Sequence, residues 1–194
     1  MQLDTIANIS SGYHFRGAVR EYPRGPLPVL QVGDFDDELR FDPAMIKRIE
    51  PDFDPHPQML RNTDVLFLAR GQRHWAVAAD GAAGMVVPGY FYILRPDESR
   101  VLPHYLSWWL NHPRTRARID ALQRGSNIPF VPLTEFRSML IPVPSLEVQH
   151  RLVTVSALAE RERELCTRLQ ALQDLLLLGI AEQPSAPQRA NRFR

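Results

Sequence analysis

The chain has 194 residues, 44% hydrophobic and 23% charged, with 23 Lys and Arg against 22 Asp and Glu and a single cysteine, Cys166. This length suits one ordinary domain with a real core plus an appendage. The lone cysteine excludes an intramolecular disulfide framework and points to a reducing cytoplasm, and a net charge of +1 excludes a histone-like polycation.

The longest apolar stretches, such as residues 175–180, fall far short of the roughly 20 residues that span a bilayer. Met1-Gln2-Leu3-Asp4 has no basic region leading into an apolar run, so no signal peptide is expected. The expectation is a soluble, cytoplasmic protein in which the Asn8-Ile9-Ser10 sequon carries no weight. The basic side is 22 arginines to one lysine, Lys47. Genomic base composition produces such a bias, and so does a surface that uses arginine's planar fork on phosphates and guanine edges.

Residues 1–144 are turn-rich and hold every aromatic residue except Phe193. Within them Val29 to Val32, Val65 to Leu68, Met85 to Val87 and Tyr90 to Leu94 are β-branched or aromatic runs bounded by turn residues, the signature of strands. From Pro103 the apolar residues Tyr105, Leu106, Trp109 and Leu110 recur at helical spacing. This predicts a helix, a break at Pro113 and a second helix to about Gln123, carrying Arg114, Arg116 and Arg118.

After Pro144 the chain changes in kind. Ser145 is a candidate N-cap, and no proline or glycine follows until Gly179, which predicts one long helix over 145–181. Val148, Val155, Leu169 and Leu176 form one heptad column with Glu162 intruding, and Leu158, Leu165 and Leu172 form the other. Such a seam wants a partner helix, with Glu162 setting register rather than adding strength. Packing along the chain's own domain is the other use for such a helix. Residues 182–194 combine low hydrophobicity with three arginines and are expected to be disordered. The class is α+β: a mixed, β-rich domain over 1–144, then one long coiled-coil helix.

No phosphate loop, dinucleotide turn, zinc pair or nucleophile elbow is present. The six histidines lack metal-ligand spacing, and neither a metal nor a cofactor is expected. Asn127-Ile128-Pro129-Phe130 is similar to the base-holding loop of amino-group DNA methyltransferases but lacks its first proline and any nucleotide site. What remains is two glycine-bearing polar loops. Arg70, Gln72, Arg73, His74, Arg124 and Asn127 have side chains that pair with base edges, while Arg16, Arg95 and Ser126 suit phosphate. Trp75 is a stacking wedge or a half-buried core residue.

The order of the segments carries a resemblance. Leu30-Gln31-Val32-Gly33-Asp34-Phe35 is followed by Leu60-Arg61-Asn62-Thr63-Asp64-Val65-Leu66-Phe67 with Arg70-Gly71. Tyr92-Ile93-Leu94-Arg95-Pro96, Leu102-Pro103-His104-Tyr105-Leu106, Gly125-Ser126-Asn127-Ile128-Pro129 and finally Ile141-Pro142-Val143-Pro144-Ser145-Leu146-Glu147-Val148-Gln149 come after. Over roughly residues 1–180 this resembles half of a DNA-specificity (S) subunit of a type I restriction-modification system, with one target-recognition domain and one conserved helical region.

The resemblance implies a non-catalytic subunit that reads one half of a split site on double-stranded DNA. It implies long helices that pair antiparallel as a spacer, a methyltransferase subunit alongside, a restriction or translocase subunit as a further partner, and a stiff joint at Ile141-Pro142-Val143-Pro144. The family's usual chain carries two domains and two helices, so this sequence would restore the architecture as a homodimer on a palindromic site. The basic residues are then expected on one face, with the acidic runs at 34–38 and 52–54 elsewhere. The rival reading is an adaptor of a defence complex, in which the helix assembles partners and the globular domain binds protein or modified nucleic acid.

Overall fold

The computed structural model describes residues 1–181, so the tail expected to be disordered (182–194) lies outside the described residues. Four strands, β1 (Ala7–Ser11), β4 (Val65–Leu68), β5 (Ala76–Ala78) and β6 (Phe91–Pro96), form an antiparallel sheet in the order β1-β6-β4-β5. A two-stranded ribbon joins β2 (Leu27–Pro28) to β3 (Arg48–Ile49). The helices are α1 (Pro103–Asn111), α2 (Pro113–Leu122), α3 (Leu133–Arg137) and α4 (Leu146–Ala181). This is the α+β class that the sequence predicts.

The central strands are apolar on both faces because each face has its own core. Along β4 and β6 successive side chains alternate sides. Val65, Phe67, Tyr92 and Leu94 pack with Tyr105, Leu106, Trp109 and Phe136 from the helical side. Leu66, Leu68, Phe91 and Ile93 pack with Leu30, Leu60, Ala82 and Met85 from the loop side. The strand β1 alternates buried Ala7 and Ile9 with exposed Asn8 and Ser10, as an edge strand must.

Two predicted strands are shorter than expected. Met85 to Val87 and the segment after Pro28 meet at a single bridge, Val29 to Val86, and Val32–Asp34 turns into a 3-10 helix held by the Asp34 carboxylate on the Gln31 N–H at 2.7 Å. The helix break falls at Pro113 as predicted, where His112 Nδ1 accepts from the Arg114 N–H at 3.3 Å. Beyond the unpaired edge of β5, Asn111 at the end of α1 satisfies both backbone groups of Ala76, at 2.9 and 2.6 Å. That covers an edge which would otherwise invite foreign strands.

The chain divides into two compact units, Met1–Val153 and the remainder from Thr154. The first turns of α4 belong to the first unit because Gln149 is fully buried. Its amide accepts from the Leu102 N–H at 2.9 Å and donates to the carbonyls of Arg100 at 2.9 Å and Pro144 at 2.8 Å. The joint before the helix is also tied at Ile141, which exchanges bonds with Met1 (2.8 and 2.7 Å), and at Pro142, whose carbonyl accepts from the Tyr105 hydroxyl at 2.8 Å. Proline cannot donate, so Pro142 and Pro144 are held through their carbonyls. No helix among the described residues is long and apolar enough to cross a membrane.

Candidate nucleic-acid interface

Sheet register defines which loops share an end. Ser11 pairs with Tyr92 and Leu68 with Phe91, so the exits of β1 and β4, the entry to β5 and the entry to β6 lie together. The β4–β5 loop, residues 69–75, projects from this end. A second loop, residues 124–130, closes on itself through reciprocal backbone bonds between Arg124 and Phe130 at 2.9 Å. It then docks beside the first, with the Gly71 N–H donating to Pro129 O and the Val131 N–H to Ala69 O, both at 2.9 Å. Beneath it, the Tyr92 hydroxyl donates to Val131 O at 2.6 Å, and burial pushes the Tyr92 phenol up despite Arg70 and Arg137 nearby.

Glycine permits this approach. Gly71 has φ +139° and Gly125 has φ +87°, and a Cβ at Gly125 would stand 3.2 Å from Ile128 O. The two polar loops singled out in the sequence thus form one surface. Arg70, Gln72, Arg73, Arg124, Ser126 and Asn127 are all exposed on it. Gln72 Nε2 donates to Asn127 O at 3.4 Å, and the Arg70 guanidinium lies 5.7 Å from the Phe130 ring centroid, within cation–π range. Three cations and no carboxylate occur in 69–76 and 123–132. Arg16 is exposed and follows β1 out of the same end of the sheet.

Two residues assigned to DNA in the sequence are placed otherwise. His74 is only 3% exposed, parallel to the Phe67 ring, and its Nδ1–H donates to Leu68 O at 2.9 Å. It anchors the loop from within and presents nothing to a base. Arg95 lies at the opposite end of the sheet, opposite Asn8, with Nε and Nη2 at 2.9 and 3.0 Å from the oxygens of fully buried Asp64. Its guanidinium neutralises a buried carboxylate and is not available for phosphate. Trp75 is a half-buried core residue, edge-on to Phe35 at 4.9 Å and Phe91 at 5.6 Å.

Phe35 packs on Trp75 at the end of the first loop, and in the acidic run around it Arg40 engages Asp36 at 3.1 Å and Glu38 at 2.9 Å. Hydrogen bonds and charge from Arg40 lower the Asp36 pKa, the largest effect coming from the Arg40 N–H. One side chain escaped the sequence reading. Ile128 sits 61% exposed at the tip of the second loop, an apolar group suited to a thymine methyl or to a gap between bases. Its signal was an isoleucine between polar residues and a proline.

The predicted helix seam runs along one face of α4. Ser145 Oγ accepts from the Val148 N–H at 3.4 Å at its start. Val155, Leu158, Leu165, Leu169, Leu172 and Leu176 are 51–66% exposed, Val148 is 41% exposed, and Glu162 is exposed among them. No group of three or more His, Cys, Asp or Glu side chains that could hold a metal occurs among the described residues.

No protein-family model and no curated protein matches the sequence. Solved structures do. The S subunit of the type I restriction-modification system of M. genitalium is 16% identical over 90% of this chain and 42% of that one, with a TM-score of 0.58. The HsdS subunit of Thermoanaerobacter tengcongensis is 19% identical over 88% of this chain and 39% of that one, at 0.64. A chain solved in a study of assembly and conformational transition of the type I system is 20% identical over 92% of this chain and 42% of that one, at 0.65. The fold is therefore that of S subunits, and the chain spans about two-fifths of the length of these relatives.

Proposed function

We propose that this chain is a sequence-specific DNA-recognition subunit of a type I restriction-modification-like system. In this reading it directs methyltransferase and nuclease subunits to a split site, working as a homodimer through α4. The observation that carries the reading is the convergence of two arginine-bearing loops, 55 positions apart at Gln72 and Asn127, on one end of a sheet whose fold matches S subunits.

The division of labour follows from the side chains. Arg70, Arg73 and Arg124 suit guanine edges, Gln72 and Asn127 adenine edges, and Ser126 and Arg16 phosphate. Phosphate contacts set register, and base contacts set sequence. No catalytic step is assigned to this chain. The exposed leucines of α4 support an antiparallel helix pair that holds two such surfaces at a fixed distance, which gives a symmetric, interrupted target.

The test is selection of bound duplexes from a random pool by the full chain, with and without a methyltransferase subunit, at stated salt. A two-part palindromic motif is expected. If bound sequences stay random in both arms, the specificity reading fails.

A further inference from the structure

The segment between β1 and β2, residues 12–26, leaves the sheet at the end that bears the two candidate loops. Beyond Ser11 it runs beside residues 87–89. The Tyr13 N–H donates to Val87 O at 2.8 Å, and a Cβ at Gly89 would stand 2.5 Å from His14 Nδ1. The next residue, Tyr90, accepts from the Ala69 N–H at 2.9 Å. His14, Gly89, Tyr90 and Ala69 therefore connect this segment to the loop that carries Arg70 and Arg73.

Both ends of the segment are fixed while its middle is unused. Tyr13 stacks on Phe53 with ring centroids 3.6 Å apart, and Phe15 stands edge-on to Tyr13 at 4.8 Å. At the far end the Tyr22 N–H donates to Arg48 O at 2.7 Å. Arg48 Nε and Nη2 donate in turn to the carbonyls of Gly25 and Pro26, each at 2.7 Å. Between these anchors Phe15 and Val19 are partly buried against Leu27, Val29, Ile49 and Val86, whereas Arg16, Gly17, Ala18 and Arg20 are exposed. Residues 15–21 make no hydrogen bond among the described residues, and neither Arg16 nor Arg20 has a carboxylate partner there. Residues 14–20 hold two arginines and no carboxylate. Exposed Asp52 and Asp54 flank Phe53, so the favourable stretch for an anion starts after Tyr13.

The bend at 16–18 leaves the Gly17 and Ala18 N–H groups without partners. Consecutive amide donors between two guanidinium groups suit an anionic oxygen better than a base edge, which offers donors and acceptors together. The apolar anchors Phe15 and Val19 lower the ordering cost of such a contact, because the backbone on either side is already placed. We propose that Arg20 and the Gly17 and Ala18 amides bind the DNA sugar–phosphate backbone beside the bases met by loops 69–75 and 124–130, forming a phosphate clamp with Arg16. The inference rests on the DNA-recognition reading. It adds a third contact element, one that sets position and carries no sequence information.

Salt titration of the selected duplex tests it with the full chain, in whichever arm of the selection yields the motif. Each phosphate contact adds about 0.9 to the slope of log affinity against log salt concentration. Arg20→Gln should lower that slope by about 0.9 for each chain on the duplex and weaken binding about fivefold at about 0.15 M salt, with the same motif recovered from the random pool. Arg61→Gln removes an equal charge at the opposite end of the sheet, before β4, and should leave the slope unchanged. Methylphosphonate placed at one phosphate at a time should reveal a position that weakens the parent and not Arg20→Gln. An unchanged slope for Arg20→Gln, an equal fall for Arg61→Gln, a changed motif or the absence of such a position overturns the clamp and leaves the DNA-recognition reading standing. A parent chain that selects no motif overturns both.

Discussion

Arg70 suits the proposed role at a guanine edge because its guanidinium is held without being consumed. It lies over the Phe130 ring, with no carboxylate partner among the described residues, whereas Arg95 has both its bonding edge and its charge committed to Asp64. The two arginines therefore fail differently. Arg70→Ala should lower affinity for the selected duplex by about 1–3 kcal/mol and relax one base position while leaving the melting temperature unchanged. Arg95→Met should do the reverse, costing about 3 kcal/mol of stability by stranding the buried Asp64 charge, with duplex affinity per folded molecule retained. Paired denaturation and binding curves separate the cases. The sequence shows both as arginines in polar settings; only register, which sends residue 95 to the far end of the sheet, distinguishes them. His74 is the same lesson at closer range. The loop Arg70 to Trp75 reads as six polar or aromatic candidates, and which of them turns inward depends on the space under Phe67, which the local sequence does not express.

Among the elements, α4 was legible and the sheet edges were not. Heptad spacing and an N-cap serine are local signals, and both its start and its exposed seam follow from them. By contrast β5 is three residues, Ala76–Ala78, with too little apolar volume to mark a strand; it exists because α1 and Asn111 cover it. The junction between these elements depends on Gln149. Gln149→Ala removes three bonds around buried backbone groups and should destabilise the first unit by about 2–4 kcal/mol in urea denaturation. Farther along the helix, Leu165→Glu with Leu172→Glu should convert the proposed dimer to a monomer in sedimentation while leaving that urea transition in place. An unchanged mass would remove the seam from the account. Gly125→Ala should cost about 1 kcal/mol or more, because the residue sits at φ +87°, and should weaken duplex binding by displacing Ser126 and Asn127.

In the proposed homodimer, helix length would set the spacing on DNA. At 1.5 Å per residue, the 36 residues of α4 make a rod of about 54 Å. Inserting one heptad after Leu165 keeps the seam in phase and lengthens the rod by about 10 Å. The unread gap in the selected motif should widen by about three base pairs, given about 3.4 Å per step, and a gap of unchanged width would rule out the helix as spacer. The way the two candidate loops are fastened bears on how a target read through them would change over generations. Loops 69–75 and 124–130 are joined by main-chain bonds from Gly71 to Pro129 and from Val131 to Ala69, the second loop is closed by Arg124 and Phe130, and inward-facing His74 ties the first to Leu68, so the outward side chains bear little of the fold. Random replacement of Gln72, Arg73 and Asn127 should yield a library that mostly still folds, melts within a few degrees of the parent and sorts into new sequence preferences. If the loops read DNA as proposed, stability and target choice would thereby be uncoupled, and new specificities could arise without an intermediate that collapses.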